Sequence, residues 1–147
     1  MPLKGMGNVK KMIAQNKVDS NLRVKAIFFS GLSEIIKETP VDTGRVRNSW
    51  FLTQGQPFGL PGGRSADKSG GGSVASLNSM PDKILNNKIY FANNMPYIEV
   101  LEFGGYPNPS SGDKTTGGYS KQLTPFNTPK GWVRSNVIRM ANKVRSL

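Results

Sequence analysis

Apolar residues recur at helical spacing over a long stretch near the start of the sequence, from Val9 to Glu38. One set steps by three and four, and a second set widens the stripe to most of one side: Leu22, Ala26, Phe29, Ser33 and Ile36, then Val24, Ile27, Phe28, Leu32 and Ile35. Pro40 ends the pattern, because the residue before a proline is driven out of the helical region. A face this wide has to be covered, so we expect these side chains in the core.

The beginning of this helix is less regular than its end. Val9, Met12 and Ile13 predict a shorter helical turn, and Asp19 or Ser20 is a candidate cap for a main helix that follows it.

Two short segments downstream have the aromatic and β-branched content of strands, and a helical pattern closes the chain. The two segments are "SWFLTQGQ" (Ser49 to Gln56) and "NKIYFANN" (Asn87 to Asn94), with the strands expected near Ser49–Gln54 and Lys88–Asn93. "PYIEVLEFGG" predicts a short helix after Pro96. In the last segment Thr128 is a candidate N-cap and Pro129 fits the first helical position. An apolar stripe follows at Val133, Val137, Met140, Val144 and Leu147. The prediction is a single α+β domain over residues 1–147, with both terminal helices packed on a small antiparallel sheet.

Two stretches rich in Gly, Ser and Pro interrupt this pattern, Pro57 to Asp82 and Tyr106 to Asn127. Their composition predicts flexible loops, over about 55–84 and 106–127, and the first could be a hairpin arm that orders against a partner. "SGGGS" within it has no predicted strand before it or helix after it, so it is interpreted as linker rather than as a phosphate-binding loop.

The composition restricts the chemistry. The 147 residues include no histidine and no cysteine, which removes the commonest general base, the usual transition-metal ligand and any disulfide. The net charge of +11 favours anionic partners such as nucleic acid, an anionic membrane or acidic protein surfaces. No apolar run is long enough to span a membrane and the start lacks the core of a secretory signal, so the simplest origin is cytosolic. No cofactor or metal ion is expected.

Carboxylates are the remaining candidates for catalysis. Glu99 and Glu102 lie three apart on the predicted short helix, where a solvated face is the favoured interpretation over an acid–base pair. Asp42 is better placed for a local ion pair or turn cap with Arg45 or Arg47 than for chemistry.

Three motifs in a fixed order resemble a known family. "TPVDTGRVRNSW" follows the long helix, "IYFANNMPYIEVLEFG" follows the first loop, and "TPKGWVRSNV" opens the last helix. This succession is similar to the neck and tail-completion family of tailed bacteriophages, which includes the minor tail protein Z-like proteins. The resemblance covers the chain from about residue 20 to its end, apart from the two loops, and the long glycine-rich 57–82 loop departs from it.

The resemblance implies a structural virion protein of the head–tail junction, assembled in the host cytoplasm as a homo-oligomeric ring around the DNA channel, and no catalysis. Six or twelve copies are the symmetric options for such a ring. The implied partners are other neck proteins, the tail terminator or tail tube, head-completion and portal-side proteins, and genomic DNA contacted without sequence preference. No membrane partner is implied.

Candidate contact residues follow from this hypothesis. Arg45 and Arg47 alternate with Val46 and are expected to share one face at the start of the first strand, meeting either a neighbour's carboxylate or a phosphate in the channel. Candidates for the subunit interface or channel are Arg45, Arg47, Glu99, Glu102, Arg134 and Arg139; for a structural turn, Pro40, Asp42, Thr43 and Gly44; and for a partner-contact arm, Phe58, Leu60, Arg64 and Lys68.

Two other functions remain open. A protein that binds DNA phosphates by itself would show tight duplex binding with a steep salt dependence. A nuclease would gather Asp42, Glu99 and Glu102 around Mg²⁺ and cleave only with metal present.

Overall fold

The computed structural model of the chain describes residues 5–96, 98–103 and 131–147. Four helices and two strands make up this part: α1 (Met6–Glu38), β1 (Trp50–Gln54), α2 (Gly71–Ser76), β2 (Ile89–Asn93), α3 (Ile98–Phe103) and α4 (Trp132–Arg145). Three single-turn 3-10 helices join them, at Arg47–Ser49, Leu77–Ser79 and Ile84–Asn86. The predicted α+β class, with long N-terminal and C-terminal helices and a small antiparallel sheet, is therefore confirmed. The second predicted loop, the proposed cap Thr128 and Pro129 lie outside the described residues.

Helix α1 is one uninterrupted helix of 33 residues. The expected break near Asp19 and Ser20 was wrong: Asp19 accepts a hydrogen bond from the Gln15 side chain one turn earlier, and the backbone continues through it. The predicted end is confirmed. Thr39, just before Pro40, donates its N–H and its hydroxyl to the carbonyl of Ile35, at 3.1 and 2.7 Å, and so closes the last turn.

The sheet contains β1 and β2 in antiparallel register, with Trp50 opposite Asn93 and Gln54 opposite Ile89. Trp50 and Leu52 point into the core, while the Trp50 ring stacks on Phe91 with the ring centres 4.8 Å apart. The alternation of buried and half-buried side chains along β1 is what a strand with one covered face requires.

Helix α2 lies inside the stretch that composition had predicted to be an irregular loop. It begins at Gly71, within "SGGGS", so the interpretation of that segment as linker was wrong. Its serines explain the difference, because they replace a neighbouring strand at the outer edge of β1. The Ser73 hydroxyl accepts from the Trp50 N–H at 2.9 Å, and the Ser76 hydroxyl accepts from the Leu52 N–H at 2.7 Å. These contacts join residues more than twenty positions apart, which a local pattern does not reveal.

The core lies between α1, the sheet and α4. Trp132 is almost fully buried and donates its indole N–H to the Ile35 carbonyl at 3.1 Å, and Met140 packs over Gly31. The apolar stripe predicted for α4 was partly wrong, because Val137 and Leu147 are at least half exposed. Trp132 and Asn136 take the buried positions instead, and the Asn136 amide is satisfied by the Trp132 carbonyl.

Candidate functional site

Arg47 binds backbone carbonyls of its own chain. Its guanidinium donates to the carbonyls of Lys37, Thr39 and Lys68, at 2.6, 3.0 and 3.0 Å. Burial lowers the pKa of Arg47 from its usual value. The expectation that Arg45 and Arg47 share a face of a strand was wrong, because the chain forms a 3-10 turn at Arg47–Ser49 and β1 begins only at Trp50. Arg45 is exposed, and Arg47 ties the C-terminal end of α1 to the loop before α2.

The turn after α1 has the predicted construction at two positions. The Thr43 hydroxyl accepts from the Arg45 N–H at 3.3 Å. Gly44 has a φ of 90°, and a Cβ at this position would overlap the backbone of Asp67 and Lys68. Gly44 therefore packs this turn against the loop at Asp67 and Lys68, whereas Asp42 is exposed.

Glu102 is buried, with only 6 % of its surface exposed. Its carboxylate accepts from the N–H groups of Val133 and Arg134, at 3.1 and 3.0 Å, and from Arg134 Nε at 3.1 Å. Its backbone carbonyl accepts from the Gly131 N–H at 2.8 Å. Placing Glu99 and Glu102 together on a solvated face was therefore wrong: Glu99 is exposed, whereas Glu102 is the N-terminal cap of α4.

The basic candidates on α4 lie beside acidic groups of the same chain. The Arg134 guanidinium bridges to Glu102 and also lies over the Phe103 ring, 4.7 Å from its centre. Arg139 Nη1 is 3.8 Å from the Glu38 carboxylate. Both arginine side chains remain more than half exposed, so their outer faces can still meet another molecule.

Two residues of the proposed partner-contact arm, Phe58 and Arg64, contact strand β1 and the residues just before it in the same chain. Phe58 stacks on Phe51 with ring centres 3.8 Å apart. Arg64 lies over the same Phe51 ring and donates to the carbonyls of Asn48 and Trp50, at 2.9 and 2.7 Å. Burial lowers the pKa of Arg64. Leu60 and Lys68 are the exposed members of the arm, and Leu60 keeps 66 % of its surface in solvent.

The first three turns of α1 form an exposed surface that we call the α1 overhang, residues 6–16. Its apolar side chains are about half exposed or more: Met6, Val9, Met12 and Ile13. Val18, Leu22 and Phe29 further along are also exposed. The expectation that the whole apolar pattern belongs to the core was therefore wrong for Leu22, Ala26 and Phe29. The overhang carries Lys10 and Lys11, Lys17 follows directly, and no acidic residue precedes Asp19.

A second exposed surface lies where β2 ends, and we call it the Leu60 groove. It is an open cleft of about 640 Å³ between the loop at Phe58–Pro61 and residues 93–96, 98 and 99. Asn94 fixes its wall, because its side-chain amide donates to the carbonyls of Phe58 and Leu60, at 2.9 and 2.8 Å. Leu60, Pro61 and Ile98 contribute apolar surface to a groove whose lining is otherwise mainly polar, and the exposed Glu99 is also among its lining residues.

Across residues 5–96, 98–103 and 131–147, no three acidic side chains are grouped to hold a metal ion. In the same part of the chain no helix is both long and apolar enough to cross a bilayer. Comparison of the chain with protein-family models, with curated proteins and with solved structures finds no match.

Proposed function

We propose that this chain is a structural subunit of a bacteriophage head–tail junction, a neck or tail-completion protein that assembles into a ring around the DNA channel. The α1 overhang carries this proposal. A helix whose first three turns expose apolar side chains while its last turns are buried is built to be covered by another molecule.

The roles of the motif residues also support a scaffold. Those with the most contacts act as joints within the subunit, since Arg47 closes α1 and Glu102 caps α4. Arg47 of the first motif and Glu102 of the second each connect the end of a helix to another element, which supports a scaffolding role.

Particle assembly tests the proposal. Inactivating the gene in the phage genome that encodes this chain should leave complete heads and complete tails that are not joined, as seen by negative-stain electron microscopy. Supplying the wild-type chain from a plasmid should restore joined particles, which controls for effects on neighbouring genes. Joined, infectious particles in its absence would refute this function.

A phosphate-directed DNA-binding protein is the second candidate, and the exposed basic residues of α4 favour it. Lys143 and Arg145 are exposed, and Arg139 is largely so. Duplex binding by the purified chain, weakening steeply with salt, would support this function.

A further inference from the structure

We propose that copies of this chain associate head to tail, with the α1 overhang of one copy docked in the Leu60 groove of the next. This contact deepens the proposed function, on which it rests, by naming the two surfaces that would close a ring.

The overhang needs a cover. Met6, Val9 and Ile13 follow one another at intervals of three and four, so they lie along one side of the helix. A helical segment of only three turns is marginal in water without tertiary contacts. Among the described residues, all side chains from Gly5 to Val18 are exposed, so the cover has to come from elsewhere.

Another overhang is a poor partner. Two overhangs laid side by side would bring Lys10, Lys11 and Lys17 of both copies together, with no acidic residue before Asp19 to offset them. Like charges facing one another at an interface are costly. A partner surface with apolar residues and a negative charge fits better.

The Leu60 groove has both properties. Leu60 and Ile98 offer apolar surface, and Glu99 among its lining residues offers a carboxylate to a lysine of the overhang. Asn94 holds the groove wall by two hydrogen bonds, so the site is formed before a partner arrives.

A chain cannot fill its own groove. Trp50 Nε1 bonds to the Thr39 hydroxyl, and the Asn93 amide bonds to the Val46 carbonyl, which places the groove near the C-terminal end of α1. Ile13 lies some forty ångströms away along the same continuous helix, at about 1.5 Å per residue. Two different surfaces at opposite ends of one molecule make a contact that repeats from copy to copy and closes into a ring if the rotation allows.

Thiol cross-linking tests the contact directly, because the natural chain has no cysteine. We expect the double variant Ile13→Cys/Leu60→Cys, treated with a short bismaleimide at high protein concentration, to give a ladder of covalent oligomers on a denaturing gel. Each single variant should stay monomeric, and an equimolar mixture of the two should stop at the dimer. The matched control is Leu85→Cys/Leu60→Cys, since Leu85 and Ile13 are equally exposed, and it should give no ladder.

Charge reversal provides a second, independent test of the contact. Lys10→Glu/Lys11→Glu in the cross-linking variant should lower the oligomer yield by about tenfold or more, and Glu99→Lys added to it should restore the yield. Dimers from Ile13→Cys alone, a ladder from the Leu85 control, or no ladder from the double variant would overturn the proposal. The particle assay separates this outcome from the virion role. If phage lacking the gene give unjoined heads and tails but the double variant gives no ladder, only this contact is rejected. If the double variant gives a ladder but phage lacking the gene still give joined particles, only the virion role is rejected.

Discussion

Arg45 and Arg47 show how two residues of one type, two positions apart, acquire different roles from their surroundings. Arg47 has three carbonyl oxygens within hydrogen-bonding distance, whereas Arg45 is exposed and its backbone N–H, not its side chain, makes the local contact. Hydrogen bonds from a charged group to otherwise unpaired carbonyls are among the stronger ones in a protein. The sequence motif therefore contains one structural arginine and one that is free to meet another molecule.

Replacing Arg47 should destabilise the fold, while replacing Arg45 should not. We expect Arg47→Met to lower the free energy of unfolding by about 2–3 kcal/mol, because three carbonyls lose a charged donor. Arg45→Met should change it by less than about 0.5 kcal/mol. Urea denaturation followed by circular dichroism measures both, and equal effects would contradict the assignment.

Glu102 is the second residue whose environment decides its role. Glu102→Ala should lower the free energy of unfolding by about 2–3 kcal/mol, because the first N–H groups of α4 lose their acceptor and Arg134 loses its partner. The matched control is Glu99→Ala on the same short helix, which should be nearly neutral because Glu99 is exposed. A neutral Glu102→Ala variant would show that α4 docks without this cap.

At the scale of the element, the two halves of helix α1 differ in burial. Val24, Leu32, Ile35 and Ile36 are buried in the core, whereas the side chains of the overhang are exposed. The backbone is continuous, yet most of the stability of a helix comes from packing of its apolar face. The two halves therefore differ in how readily they open.

Hydrogen exchange of the dilute, monomeric chain should reveal this difference. The amides of residues 6–16 should exchange close to the rate of an unstructured peptide, while those of residues 32–36 should exchange only on global unfolding. Mass spectrometry of peptic fragments measures both sets. Protection of the overhang in a monomer would mean that another part of the same chain covers it.

At the scale of the whole molecule, Lys25 and Asp82 link α1 to the segment that leads into β2. Lys25 Nζ lies 2.6 Å from the Asp82 carboxylate, and this hydrogen bond and the lysine charge lower the pKa of Asp82 below its ordinary value of 3.8. A carboxyl with a depressed pKa in the folded state adds stability above the unfolded pKa, and that stability is lost as the pH falls through the folded pKa.

Lys25→Met should therefore raise the pKa of Asp82 towards its ordinary value and remove its part of the acid dependence of stability. Carboxyl-carbon NMR titration measures the pKa. Asp67 is an internal control, because hydrogen bonds from Ser69 lower its pKa and the substitution leaves them intact. An unchanged Asp82 titration would mean that the ion pair does not persist in solution.

The sequence predicted what is decided locally. The class of the fold, the end of α1 at Pro40 and both strands follow from proline, aromatic and β-branched residues at recognisable positions. The helical period showed that α1 has an apolar face, but it is the same in both halves and does not say which half has a partner. Helix α2 and the role of Glu102 depend on contacts between residues far apart in the sequence, so the local sequence pattern did not predict them.

Ser73 and Ser76 have a consequence beyond the stability of β1. Their hydroxyls accept the hydrogen bonds that the N–H groups of Trp50 and Leu52 donate. On an open strand edge these N–H groups would pair with a strand of another molecule, and such pairing can start the stacking that leads to fibrils. In the proposed ring, copies of the chain would be held close together, which is where such pairing is a hazard. By occupying these two N–H groups with side chains, the protein hinders pairing through this edge of β1 and leaves the proposed contact between copies to the α1 overhang and the Leu60 groove.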